Sequence, residues 1–198
     1  LYSIAQDKSG LDVTDDSLLS IAKSYYDNKE ADSLYAKFCY YQGLYYVLID
    51  SLKLAEDYLW KSINSAEAQG DKYTAYLACF QMRRALKIRS PKKALIYAQK
   101  ALELYESMNQ NNISNQIYLI REVGAGYEAV GKKDSALIYM KKALPLASST
   151  NDSILIGRIY HSISLAQLGL NQVDSALYFA KKAWISSPER HPSLYSHM

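Results

Sequence analysis

The sequence predicts an all-α fold, an array of antiparallel helix pairs, on three observations. A ten-residue segment recurs about every 40 residues, its apolar positions fit one face of a helix, and glycine, proline or polar breaks separate the helical runs. The clearest copy is Ser135-Ala136-Leu137-Ile138-Tyr139-Met140-Lys141-Lys142-Ala143-Leu144. The lead alanines of the copies, Ala55, Ala94, Ala136 and Ala176, lie 39, 42 and 40 residues apart. Within each copy apolar residues fall at i, i+3, i+4 and i+7, the pattern of an amphipathic helix.

Three further places in the repeat carry physical roles. A small residue returns seven places after each lead alanine, as Ser62, Ala101, Ala143 and Ala183. Two turns apart, such residues let a neighbouring helix approach toward the short end of the roughly 8–10 Å interaxial range. An aromatic stands three places after the lead alanine (Tyr58, Tyr97, Tyr139, Phe179) and fills the seam beside the small residues. A lysine stands six places after it (Lys61, Lys100, Lys142, Lys182), on the opposite face, which reads as a solvated convex surface.

In chain order, residues 1–30 read as an N-terminal capping segment: a short helix over 1–8, a stop at Ser9-Gly10, and a helix over 17–27 capped by Thr14, Asp15 or Asp16. Four helix pairs follow over residues 31–187, dividing as 31–70, 71–110, 111–150 and 151–187. The first pair takes residues 31–49 and 52–69 and ends at Gly70, a C-terminal stop. Asp71 opens the second pair, 72–88 and 91–108, in which Ser90-Pro91 sets a capping hydroxyl before a proline at the first helical position. The third pair takes 113–130 and 133–148, bent at Gly131, and the fourth takes 153–169 and 172–186, ending before Pro188. Residues 188–198 begin an incomplete further repeat or form a tail. No strand pattern, glycine-rich loop or low-complexity segment interrupts this series.

Composition narrows the function. The chain has 198 residues, 49% of them apolar, enough for one ordinary domain. Its net charge of +3 is too small to argue for direct nucleic-acid binding. It has no run of about eighteen apolar residues, so no membrane span is expected in this fragment, and no signal peptide is visible. The missing initial methionine and the end just after a helix-start signal point to a piece of a longer protein. The compartment stays open between a cytoplasmic soluble fragment and an extracytoplasmic part of an anchored protein. The nineteen tyrosines are expected mostly at helix seams with the hydroxyl in water, a minority lining a binding surface.

Catalytic chemistry is not expected. His161, His191 and His197 are too scattered for a metal site, so no metal or cofactor is expected. Cys39 and Cys79 occupy nearly equivalent places in successive repeats, roughly 10 Å apart and beyond the ~7 Å reach of a disulfide. They should be free thiols, and neither has a histidine at helical spacing to act as base. The carboxylates form no paired constellation, so the chain reads as no enzyme.

The first helices add a motif. Gly43, Tyr46 and Ala55 are spaced 3 and 9, and Gly124, Tyr127 and Ala136 repeat that spacing. With Gly131 at a bend, Ala143 seven places past its lead alanine and Pro188 after the fourth pair, residues 31–187 resemble the tetratricopeptide repeat. The period is nearer 40 than the usual ~34. Met82 and Ser164 stand in the glycine place, and Ala85 and Gln167 in the tyrosine place. The overall style is similar to bacterial extended-repeat proteins, in which the array is one part of a longer sensory or regulatory protein.

The resemblance implies a right-handed superhelical α-solenoid whose first helices line a concave groove for a segment of another protein. Carried over by register, the groove places are Lys37, Tyr40, Tyr41, Leu44, Val47 and Leu48 in the first pair, and Tyr76, Cys79, Phe80, Arg83, Leu86 and Lys87 in the second. The third pair gives Tyr118, Arg121, Glu122, Ala125, Glu128 and Ala129; the fourth gives Arg158, His161, Ser162, Leu165 and Leu168. Five of these are basic and two acidic. A mildly basic, aromatic groove suits a peptide or protein segment with acidic and apolar side chains. Several of the charged residues can instead neutralise one another, as Arg121 with Glu122 or Glu128. The carboxylate clamp that some members of the family use for chaperone C-termini takes asparagine where this chain has Leu44 and Phe80, so that partner is not expected. A peptide-sensing regulatory domain and a self-associating module, the latter through an apolar C-terminal face that makes a homo-oligomer, are the alternatives.

The helical phase makes a prediction. Ala136→Leu overpacks the seam of the third pair and costs about 1–3 kcal/mol, while Lys142→Ala, on the wet face, changes stability by less than about 0.5 kcal/mol. Equal effects in chemical denaturation would mean the phase is wrong.

Overall fold

The punctuation of the sequence becomes the helix ends. A computed structural model describes residues 17–27, 32–109 and 111–186, and among them lie nine α-helices and no strand. They are α1 Ser17–Tyr26, α2 Tyr35–Leu48, α3 Leu52–Gln69, α4 Lys72–Leu86, α5 Pro91–Ser107, α6 Ile113–Ala129, α7 Lys133–Ser148, α8 Ser153–Gly169 and α9 Val173–Ser186. The chain divides at Asn111 into two compact units, α1 to α5 and α6 to α9. The helix expected over residues 1–8, the cap at 14–16 and the tail at 188–198 lie outside the described residues.

Short polar side chains start the first helix of each later pair. Asp71 accepts from the Thr74 amide (3.0 Å), Asn112 from the Asn115 amide (3.0 Å) and Asp152 from the Leu155 amide (2.9 Å). The connections turn on residues of positive φ: Asp50, Gly70, Asn109, Gly131, Asn151 and Asn171. Two local expectations change. The Ser90 side chain makes no capping bond, and α5 begins on the fixed φ of Pro91 alone. The second helix starts at Tyr35, later than residue 31. Asp32 holds the chain in a turn there, its Oδ1 accepting from the Leu34 amide (2.9 Å) and the Tyr26 hydroxyl (2.8 Å).

In the first unit α2 packs on α3, α3 on α4, and α4 on both α5 and α2. The helix α1 closes the start: Leu19 is buried, and its carbonyl accepts from the buried Gln42 amide (3.0 Å). Tyr26, Tyr35, Phe38, Tyr58 and Tyr46 join in one run of ring contacts, with Tyr46 and Tyr58 stacked at 5.5 Å. Such contacts stabilise by about 0.5–1.5 kcal/mol each beyond their buried area. The outer lysines are only partly as expected. Lys61, Lys142 and Lys182 are exposed, but Lys100 is half-buried and pairs with Glu67 of α3 at 2.6 Å. Arg89 pairs with Glu56 in the same way, tying the α4–α5 turn to α3.

In the second unit α6 packs on α7, α7 on α8 and α8 on α9. Tyr127 meets Tyr139 at 5.3 Å, the counterpart of Tyr46 with Tyr58. Where Gln167 replaces that tyrosine, Phe179 meets Tyr160 instead at 6.1 Å. Lys133 donates to the Gly169 carbonyl (2.8 Å), linking the start of α7 to the end of α8.

Helix approach within each pair is set by two places sixteen residues apart. A Cβ on Gly43 would lie 2.6 Å from Leu59 Cγ, and one on Gly124 would lie 2.5 Å from Met140 Cε. In the second pair the sizes are exchanged: Met82 holds the glycine place and Ala98 the facing place, both buried. In the fourth pair Ser164 holds the glycine place and donates its hydroxyl to the Ala176 carbonyl (2.8 Å). The second pair therefore exchanges the two sizes, whereas the fourth replaces glycine by serine and adds a hydrogen bond between its helices.

This coupling is measurable. Gly43→Ala is expected to destabilise the first unit despite the about 1 kcal/mol that alanine contributes over glycine in a helix. Leu59→Ala costs about 2–5 kcal/mol alone. The double variant, which approaches the size pairing of Met82 with Ala98, should be more stable than the sum of the singles by about 1 kcal/mol or more. Strict additivity in denaturant unfolding would show that the two places do not share one volume.

Candidate protein-binding face

The sequence-derived groove places sit on α2 and α4 in the first unit and on α6 and α8 in the second. The two units present them differently. In the first, Tyr40 and Tyr41 are buried with rings 4.9 Å apart, and Leu44 and Val47 are buried beside them on α2. Tyr76 is buried on α4 with its ring 5.3 Å from Tyr105 of α5. Arg83 is only 8% exposed, its guanidinium 4.8 Å from the Phe80 ring. Leu86 and Cys79 are also buried. A ligand on this unit can reach Lys37 and Lys87, which are exposed, and the half-buried Leu48 and Phe80.

The second unit keeps the same places open. Tyr118 is 42% exposed, Leu165 and Leu168 are exposed, and Arg158, Glu128 and Ala129 are exposed. Arg121, Glu122, Ala125, His161 and Ser162 are half-buried. Ser162 turns its hydroxyl back to the Arg158 carbonyl at 3.0 Å, so it offers little to a ligand. The Arg121 Nε is buried and has no hydrogen-bond partner within the chain. Tyr118 and Arg158 fall in the N-terminal halves of α6 and α8, Arg121 and His161 at their centres, and Glu128, Leu165 and Leu168 in the C-terminal halves. Along α8 the exposed side chains therefore change from cationic at Arg158 to apolar at Leu165 and Leu168, while α6 ends on the acidic Glu128.

Large apolar side chains also remain exposed where groove reasoning does not look. Val173, Leu177, Trp184 and Ile185 on α9 are exposed. The signal for them is the fourth copy of the repeat itself, which keeps an apolar stripe beyond the residues that pack on α8.

A set of paired helices with small residues at the crossings and aromatics beside them defines a helical-repeat solenoid of the tetratricopeptide kind. Solved structures share this fold. The apo form of RapI matches with a TM-score of 0.77 at 14% identity, over 93% of this chain and 67% of that one. The TPR-like repeats of a putative kinesin light chain from Podosopora anserina match with a TM-score of 0.76 at 10% identity, over 93% and 91%. A Rap protein complexed with Competence and Sporulation Factor matches with a TM-score of 0.59 at 18% identity, over 84% of this chain and 47% of that one. No family model matches the sequence, and neither does any curated protein.

Among the described residues no three histidine, cysteine, aspartate or glutamate side chains come together to hold a metal, and no helix is long and apolar enough to cross a membrane. Cys39 and Cys79 are free and buried. Burial pushes the Cys39 thiol up to about 11, against a hydrogen bond with Tyr35, and pushes Cys79 up to about 12. Both stay protonated in the folded chain through the neutral range, the opposite of what a nucleophile needs.

Two readouts follow. A soluble disulfide reagent at neutral pH should leave both thiols untouched in the native chain and modify both after unfolding in urea. Fast native labelling would contradict their burial. Each thiol titrates at a higher pH folded than unfolded, so its contribution is fully present below the ordinary value of 9.0. Above it the unfolded chain loses protons first, and stability falls by up to about 1.4 kcal/mol per pH unit for each thiol until the folded thiol also ionises.

Proposed function

We propose that this chain is a non-enzymatic protein-interaction scaffold that holds a segment of a partner against the first helices of its repeats, chiefly α6 and α8. The observation that carries this reading is the exposure of the second unit's groove places: Tyr118 on α6 and Arg158, Leu165 and Leu168 on α8 are exposed, with Arg121 and His161 half-buried. A partner segment with carboxylates toward the arginines and apolar side chains toward the leucines matches that grading. Arginine gives paired hydrogen bonds to a carboxylate, and tyrosine supplies contact area at low entropic cost. The first unit adds Lys37, Lys87 and Phe80 at its accessible edge. Supporting the reading, a protein of the same fold is described in complex with Competence and Sporulation Factor. That likeness also favours a second reading, in which a bound peptide regulates a domain joined to the array.

The test is affinity capture from source cells with the 198-residue chain beside a Tyr118→Ala, Arg158→Glu variant. Both replaced side chains are exposed, so helicity should be unchanged, whereas replacing the buried Arg83 would disturb the fold. The reading expects a partner held by the parent and weakened about tenfold or more in the variant. Equal capture by both moves the binding site off this face.

A further inference from the structure

The last helix carries a second contact surface. Val173, Leu177, Ala180 and Trp184 are spaced 4, 3 and 4, the a/d spacing of a coiled-coil seam, and they form one stripe on α9. Three of its four places are open, Val173 at 61%, Leu177 at 54% and Trp184 at 51% exposed, while Ala180 is half-buried. In α7, on which α8 packs, the matching places Leu137, Met140 and Leu144 are half-buried or buried. A helix is therefore the natural shape to cover the stripe of α9.

We propose that the covering helix is α9 of a second copy of this chain, packed antiparallel about a two-fold axis. Two features of the stripe are complementary to the stripe itself. Antiparallel pairing sets each a place against a d place, so Leu177 faces Ala180 and Val173 faces Trp184, each layer combining a larger with a smaller side chain. The open edge carries Asp174 and Lys181, both exposed, at the two e places. Antiparallel pairing brings e against e, so Asp174 of each copy meets Lys181 of the other, and symmetry makes the contact twice. The other edge is Ala176, which is buried, and Ala183, which is half-buried, where α9 packs on α8. The stripe shares no residue with the proposed partner-binding places, and the inference does not depend on the proposed function.

Sedimentation equilibrium on the 198-residue chain, over about a hundredfold range of concentration, tests this directly. The mass should rise from 22.4 kDa toward twice that value, and Trp184 emission should shift to the blue as the dimer forms. Asp174→Lys and Lys181→Asp should each weaken the dimer about tenfold or more, because each replaces two attractive contacts by two repulsive ones. The double variant Asp174→Lys, Lys181→Asp should restore it, and its helicity should match the parent. A monomer at every concentration overturns the proposal, and is the outcome if another part of the chain or a different protein covers the stripe. An open-ended polymer, or a dimer indifferent to both reversals, overturns it equally.

Discussion

Everything in this molecule depends on how closely the two helices of a pair can approach. The approach is limited at two facing places sixteen residues apart, and the limit is a shared volume, not a particular residue. Gly43 beneath Leu59 and Gly124 beneath Met140 show one solution; the second pair, with Met82 and Ala98 buried at the same two places, has the sizes exchanged. Because interiors are packed near the density of organic crystals, an extra methylene on one side must be removed from the other. Close approach then aligns the aromatics beside the crossing, so that Tyr46 lies on Tyr58 and Tyr127 meets Tyr139. It also permits hydroxyls in buried places, since Ser62 reaches the Ala36 carbonyl at 2.8 Å and leaves no polar atom unsatisfied there.

The same packing explains why the two units differ in what they offer a partner. In the first unit tyrosines fill the face between α2 and α4, and Arg83 lies over an aromatic ring, so the surface is largely closed by its own side chains. In the second unit, smaller residues such as Ala125, Ser162 and Ala129 alternate with exposed Tyr118, Arg158, Leu165 and Leu168. Aromatic content alone does not mark a binding face. A tyrosine is available to a ligand only where its neighbours leave it room.

Much of the fold was legible because a repeat array is nearly one-dimensional: each helix answers to its own period, caps and immediate neighbours. Helix ends at Gln69, Ser148 and Gly169 followed directly from Gly70 and the polar breaks. What was not legible depends on contacts through space. The late start of α2 needs Tyr26 to reach Asp32, and the burial of Lys100 needs Glu67 on another helix. For the candidate site, register gave the positions and the surplus of basic residues. It did not give exposure, because the closing of Tyr40, Tyr76 and Arg83 depends on packing within the unit that no spacing encodes.

The exchanged sizes at the helix crossings bear on how such a chain can be rebuilt or can diversify. In the first three pairs a first helix carrying glycine stands with a bulky residue on the second, and the one carrying methionine stands with alanine. Cutting and rejoining between the two helices of a pair would join glycine with alanine or methionine with leucine, leaving a void or a clash. Joining between pairs preserves every crossing within a pair. The unit of modular exchange in this chain is therefore the whole helix pair, and recombination boundaries belong at Gly70, Asn109 and Asn151.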